Sequence, residues 1–216
     1  MTWHDGTLSG RARGLSVPTE NAVPPVAIVR FPADATRPIF VRFEGVEIEV
    51  AICTRETYAN KLELGPEHWS VGGVYVLNGP SDTADCDSRV RPGTTQTRPL
   101  LERVDDHLKR DEAWWRQVIL VRRLTIEFDS AESGYLESRL HEICKAAARI
   151  EHAPGSKTSH YRGPSSTDAK MDLDTRVLGA IKVALRLGGL RIETDQELDE
   201  LSKLPVRRRA DEYVNG

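Results

Sequence analysis

The sequence predicts an α+β protein: a small mixed or antiparallel β-sheet flanked by helices, preceded by a β-rich N-terminal module and followed by a helical tail. Three observations predict it. Val46-Glu47-Ile48-Glu49-Val50 alternates apolar and charged residues after Glu44-Gly45, the pattern of a hairpin strand with one face buried. Leu100, Leu101, Val104 and Leu108, and later Leu136, Leu140, Ile143 and Ala147, recur at helical spacing. A chain of 216 residues, 39% hydrophobic and 29% charged, supplies one good core with a small annex.

Residues 1–24 lack periodicity, are rich in Gly, Ser, Arg and Pro, and read as a flexible arm. Arg11 and Arg13 in it suit either a phosphate contact or a solvated tail. Residues 25–68 form the β-rich module, with an apolar run at 26–29 and a hairpin of 39–43 with 46–50. A short helix from the Thr54 cap to Leu64 follows, ended by Gly65-Pro66. Residues 69–150 make the next unit. A strand from Val74 to Leu77 ends at Asn78-Gly79-Pro80, and a short strand from Ser88 to Arg91 leads into a Pro92-Gly93 turn.

A helix then opens with Thr97 as N-cap and Pro99 in its first turn, where a missing N–H costs nothing. Trp114-Trp115 followed by Val118 to Val121 reads as a buried strand entered through aromatic packing. Asp129 and Glu132 have capping-box spacing and start the next helix. Residues 151–170 read as a linker. Residues 171–216 form the tail: a helix from Met171 to Leu187 stopped by Gly188-Gly189, a second from Asp195 to Lys203, and the basic Arg207-Arg208-Arg209. That tail suits packing on the preceding unit or a small DNA-binding element.

Charge and cysteine usage narrow the function classes. A formal charge of -3 argues against a protein that coats nucleic acid indiscriminately, so any such contact must come from a local patch. Residues 89–123 hold eight Arg and one Lys against five acids, net +4, which segregates positive charge to this stretch. Cys53, Cys86 and Cys144 are odd in number and far apart, supporting neither a disulfide framework nor a zinc site. With neither a long apolar run nor a leader-like N-terminus, a cytoplasmic location is expected. Asp82, Asp85 and Asp87 lack the spacing, central Gly and terminal Glu of an EF-hand loop.

Chemistry concentrates in four groups. Tyr75 follows Gly73-Val74 on a strand. Arg103 and His107 lie four apart and share a helix face, where both can meet one small anion. A bland alternative pairs Arg103 with Asp106 and leaves His107 on the surface. Glu137 lies about 100° from Leu136, at the edge of a buried stripe, with Ser133 and His141 rather than a base one turn away.

Gly-x-Tyr, a Gly-containing turn at Arg91-Pro92-Gly93, Arg-x-x-x-His and Leu136-Glu137, in that order over residues 71–149, resemble the GIY-YIG nuclease superfamily. The flanking segments resemble its bacterial and phage members that carry extra segments. The resemblance implies phosphodiester hydrolysis of DNA assisted by one divalent metal, Mg2+ or Mn2+. By position, Tyr75 activates the nucleophile, Arg103 stabilises the phosphate, His107 is the motif histidine and Glu137 ligates the metal, with Arg91, Gly93 and Lys109 touching substrate. Arg91 stands where the family has its second tyrosine. That departure leaves three readings open: an endonuclease of restriction, phage defence or repair, a catalytically lapsed module that binds DNA or protein, and an ordinary α/β protein with coincidental motifs.

Overall fold

The computed structural model describes residues 25–203 except 33, 35, 61–63, 96–97, 111–113 and 154–162, and side chains as far as residue 200. The expectations for the arm, the Thr97 cap and the Arg triplet lie outside the described residues. Seven strands form one mixed sheet flanked by helices, in the order β1-β2-β3-β6-β4-β5-β7. β1 (Ala27–Arg30), β2 (Ile39–Phe43) and β3 (Val46–Thr54) run as an antiparallel meander. β3 then pairs with β6 (Gln117–Arg123), β6 with β4 (Val74–Gly79), and β4 with β5 (Ser88–Thr94), all antiparallel. A short β7 (Ile150–His152) joins β5 in parallel. Because β3 pairs with β6, the sheet is continuous from the N-terminal strands to the later ones.

Strand alternation sends side chains to two separate cores, since successive residues point to opposite faces. On one face Val41, Val50, Val76 and Val121 meet Leu136 and Leu140 of α4 (Ser130–Ala146) and Ile181 and Leu185 of α6 (Leu178–Leu187). On the other, Ala51, Tyr75, Leu77 and Leu120 pack with Tyr58 of α1 (Arg55–Ala59), Trp69 of α2 (Pro66–Trp69) and Leu100, Leu101 and Val104 of α3 (Leu100–Lys109). Each of the buried valines, leucines and isoleucines contributes roughly 1.5–3 kcal/mol of transfer free energy. Among the described residues no helix is long and apolar enough to cross a membrane.

Two caps fall where sequence places them. Thr54 accepts a 3.0 Å hydrogen bond from the Thr57 amide to start α1. Asp129 and Glu132 form a reciprocal capping box at the start of α4.

Other expectations change. The helix from Thr54 stops at Ala59, capped by Asn60, and Pro66 opens α2 at its first position instead of closing the earlier helix. Proline fits a first position because it removes only an amide that a first turn leaves unused. Pro92-Gly93 is no turn: β5 runs through both to Thr94. β7 pairs with β5 only over Ser88 to Val90, so Pro92 has one neighbouring strand to serve, the setting in which a strand tolerates proline. Pro99 is the N-cap of α3 instead of a residue inside its first turn, and makes no side-chain cap bond. Part of the stretch read as linker is ordered as β7 and as the start of α5 (Thr167–Asp172). The helix expected from Met171 begins at Thr167 and passes through a π-helical turn, Leu173–Val177, before α6, and α7 (Asp195–Lys203) follows.

Candidate active site

The geometry starts from β4, an interior strand of the sheet. Tyr75 is 2% exposed, with its ring against α3. Its hydroxyl lies 2.9 Å from Nε2 of His107, itself 3% exposed. Arg103, one turn earlier on α3, hydrogen-bonds the same phenol. The bland pairing of Arg103 with Asp106 is displaced, because Asp106 is taken by Arg98 at 2.7 Å. Asp105 is engaged by the hydroxyl of Tyr58.

β5 supplies the next two groups through its register with β4. Gly93 lies opposite Tyr75, and Arg91 lies opposite Leu77, on the same face of the sheet. A Cβ at residue 93 would fall inside the van der Waals envelope of the Tyr75 ring, so only glycine lets the phenol lie across β5. Arg91 reaches over to His107, with Nη1 3.5 Å from Nδ1, and its guanidinium sits 5.5 Å from the Trp114 ring centroid. A guanidinium can only donate. Nδ1 of His107 must therefore accept, the ring proton resides on Nε2, and that N–H donates to the oxygen of Tyr75. The phenol's own proton is left to point elsewhere.

Glu137 arrives from the other side of the sheet. Its neighbours Leu136 and Leu140 are buried in the opposite core, yet its charge is near enough to act on Tyr75 and to feel that of Arg103. α4 packs along β5 and β7 at this end of the sheet, and β7 does not pair the Arg91–Thr94 part of β5. Burial pushes Glu137 up to about 7, against the pull of the Arg103 charge. Burial also raises the Tyr75 phenol, helped by the Glu137 charge and opposed by Arg103 and Arg91.

Of the residues expected at the site, Tyr75, Arg91, Gly93, Arg103, His107 and Glu137 converge. Lys109 does not. It is exposed at the end of α3, about 200° round the helix from His107, and its charge acts on Asp106. Sequence reasoning missed Trp114, assigned only to core packing. Its nearness to Arg91 is set by Asn78 accepting from the Arg116 amide and by Gly79, where any Cβ would collide with the Trp114 carbonyl. That close approach leaves no signal beyond Gly79 itself.

Among the described residues no three His, Cys, Asp or Glu gather as a metal cage. A lone carboxylate destabilised by burial does suit a magnesium ion, which keeps most of its waters and takes phosphate oxygens as further ligands. Two guanidiniums, a phenol, an imidazole and one acid can bind an oxyanion and move a proton beside it. Comparisons with protein-family models, with curated proteins and with solved structures give no match.

Proposed function

We propose that the chain is a divalent-metal-dependent DNA endonuclease of GIY-YIG type that hydrolyses phosphodiester bonds. The observation that carries this reading is the convergence of Tyr75, Arg103, His107 and Glu137 from three separate elements onto one another. Arg103 and His107 share a face of α3, and the fold brings Tyr75 of β4 and Glu137 of α4 to that face. Phosphodiester chemistry gives all four a role there. The excess of Arg over acid in residues 89–123 supports the same substrate class.

In this mechanism Arg103 and Arg91 absorb charge on the phosphate as it becomes pentavalent, each donor preorganised away from bulk water. Glu137 would hold the metal, which when bound supplies Lewis acidity at a phosphate oxygen. Water attacks phosphorus and the new P–O bond forms as the ester P–O bond breaks; the water proton passes to the oxygen of Tyr75 in its phenolate form, and the leaving sugar oxygen takes a proton from solvent water to depart as an alcohol. The Nε2–H of His107 and the guanidinium of Arg103 donate to that oxygen and stabilise it while it is charged. Both Glu137 and Tyr75 are needed deprotonated and both are raised, so cleavage increases through neutral to alkaline pH.

Purified protein incubated with supercoiled plasmid and Mg2+ or Mn2+ should nick or linearise it. Glu137→Gln should lower the rate by at least about 100-fold. Plasmid left intact by the wild type with both metals, while the protein still binds it, would establish the lapsed binding module instead; Arg91 in place of a second phenol is the observation that favours that reading.

A further inference from the structure

Away from the phenol, the same face of the sheet carries a second polar cluster. Arg42 of β2, Glu49 of β3 and Arg122 of β6 stand directly opposite one another across three strands. Glu49 is buried, at 6% exposure, and holds both arginines: Arg42 Nε at 2.8 Å, and Arg122 Nη2 at 2.6 Å and Nε at 3.1 Å. The Arg122 guanidinium also lies 5.2 Å from the ring centroid of buried Trp69. One carboxylate cannot neutralise two guanidiniums. Arg30, exposed on β1, adds a third cation at the wall of a cavity of about 270 Å³ that Phe40, Leu64, His68 and Trp69 complete.

Arg42 and Arg122 differ from ordinary surface arginines in being held. Glu49 fixes the fork of Arg122 and the Nε of Arg42, whose side chain is 55% exposed and whose two terminal nitrogens Glu49 does not hold. Preorganised donors lose less freedom on binding, and a planar fork matches phosphate oxygens. The cavity opens on the face that carries Tyr75, because Arg122 is two residues from Leu120, the partner of Tyr75 on β6. From Arg42 on β2 to Tyr75 on β4 is three strand spacings across and two residues along, about 16 Å.

We infer that the Arg30/Arg42/Arg122 cavity is a second phosphate-binding site that grips the backbone of the same nucleic-acid strand whose cleavable bond lies at Tyr75. The proposal rests on the nuclease reading only in naming that strand as substrate; phosphate recognition by the cavity stands apart from it. Contacts there are to backbone oxygens, so they add affinity and fix register without reading sequence.

The test is metal-free binding of the full chain to a fluorescein-labelled 20-base-pair duplex and to the corresponding single strand in EDTA, by anisotropy, across a KCl series. Arg30→Gln/Arg42→Gln leaves the Arg122–Glu49 pair intact. It should raise Kd about tenfold and flatten the slope of log Kd against log salt by about two, near 0.9 for each phosphate that is no longer neutralised. Arg30→Lys/Arg42→Lys should keep the slope, and Arg30→Gln alone, at an exposed edge position, should flatten it by about one. A slope unchanged in Arg30→Gln/Arg42→Gln with the thermal midpoint preserved overturns the proposal, as does a wild type that binds neither DNA. So does complete competition by millimolar inorganic phosphate, which would make the cavity a small-anion site. A protein that binds with the expected slopes yet never cleaves loses the nuclease reading alone. One that cleaves with unaltered slopes loses this inference alone.

Discussion

The proton on His107 is the smallest feature that decides how the cluster works. With Arg91 donating to Nδ1, the imidazole can only donate to Tyr75, so it acts as a stabiliser of phenolate rather than as a base for the phenol. Long-range 1H–15N NMR at pH 8 should show Nδ1 of His107 unprotonated in the wild type. Arg91→Met should give a mixture of tautomers, and Arg91→Lys, which can also only donate, should keep the single form. A wild type whose Nδ1 carries the proton would refute this role for Arg91. The spacing of Arg103 and His107 was readable along the chain. The link from Arg91 to His107 was not, because it depends on the register of β5 against β4 and on the height of α3 above both.

Among the elements, β5 shows how packing overrides a local signal. Pro92-Gly93 is a strong turn dipeptide, and its local chemistry predicts a turn. In the sheet it continues the strand, since the proline serves one neighbour only and the glycine makes room for a ring. Gly93→Ala should therefore cost about 1–3 kcal/mol, as overpacking does, seen as a lower midpoint in urea or heat. It should also reduce cleavage, because the Tyr75 ring must shift. Wild-type stability in Gly93→Ala would mean that the ring is free to slide aside without loss. Helix starts were more legible, since a capping box such as Asp129 and Glu132 is complete within four residues.

For the molecule as a whole, two buried titrations oppose each other. Burial, with the nearby His152, lowers His141 to about 4, and the two rings stack at 5.7 Å. The unfolded chain therefore takes up protons before the folded one as pH falls below about 6.5, and this stability is lost toward pH 4. Glu137 has the opposite sign. Its raised value means stability present below about 4.5 is lost as pH rises through about 7. Between those limits the two slopes partly cancel in the wild type. Glu137→Gln removes one of them, so its stability relative to wild type should grow from pH 4.5 to 7 and level off at a gain on the order of 2 kcal/mol. Urea midpoints at pH 5, 6, 7 and 8 test this, and a constant difference across that series would contradict it. A variant that loses activity while gaining stability is what a site strained by a buried acid should produce.

Sequence alone determined the α+β class, the hairpin of β2 and β3, the two capped helices and the identity of most of the converging side chains. Those depend on period, caps and turn chemistry, which act over a few residues. Only the tertiary structure decided the seven-strand order, the passage of β5 through Pro92-Gly93, the link of Arg91 to His107, the recruitment of Trp114, and the Arg42-Glu49-Arg122 row. Each of these joins residues 7 to 73 positions apart through strand register, and register is fixed by which faces find a core, a condition that no single stretch of chain contains.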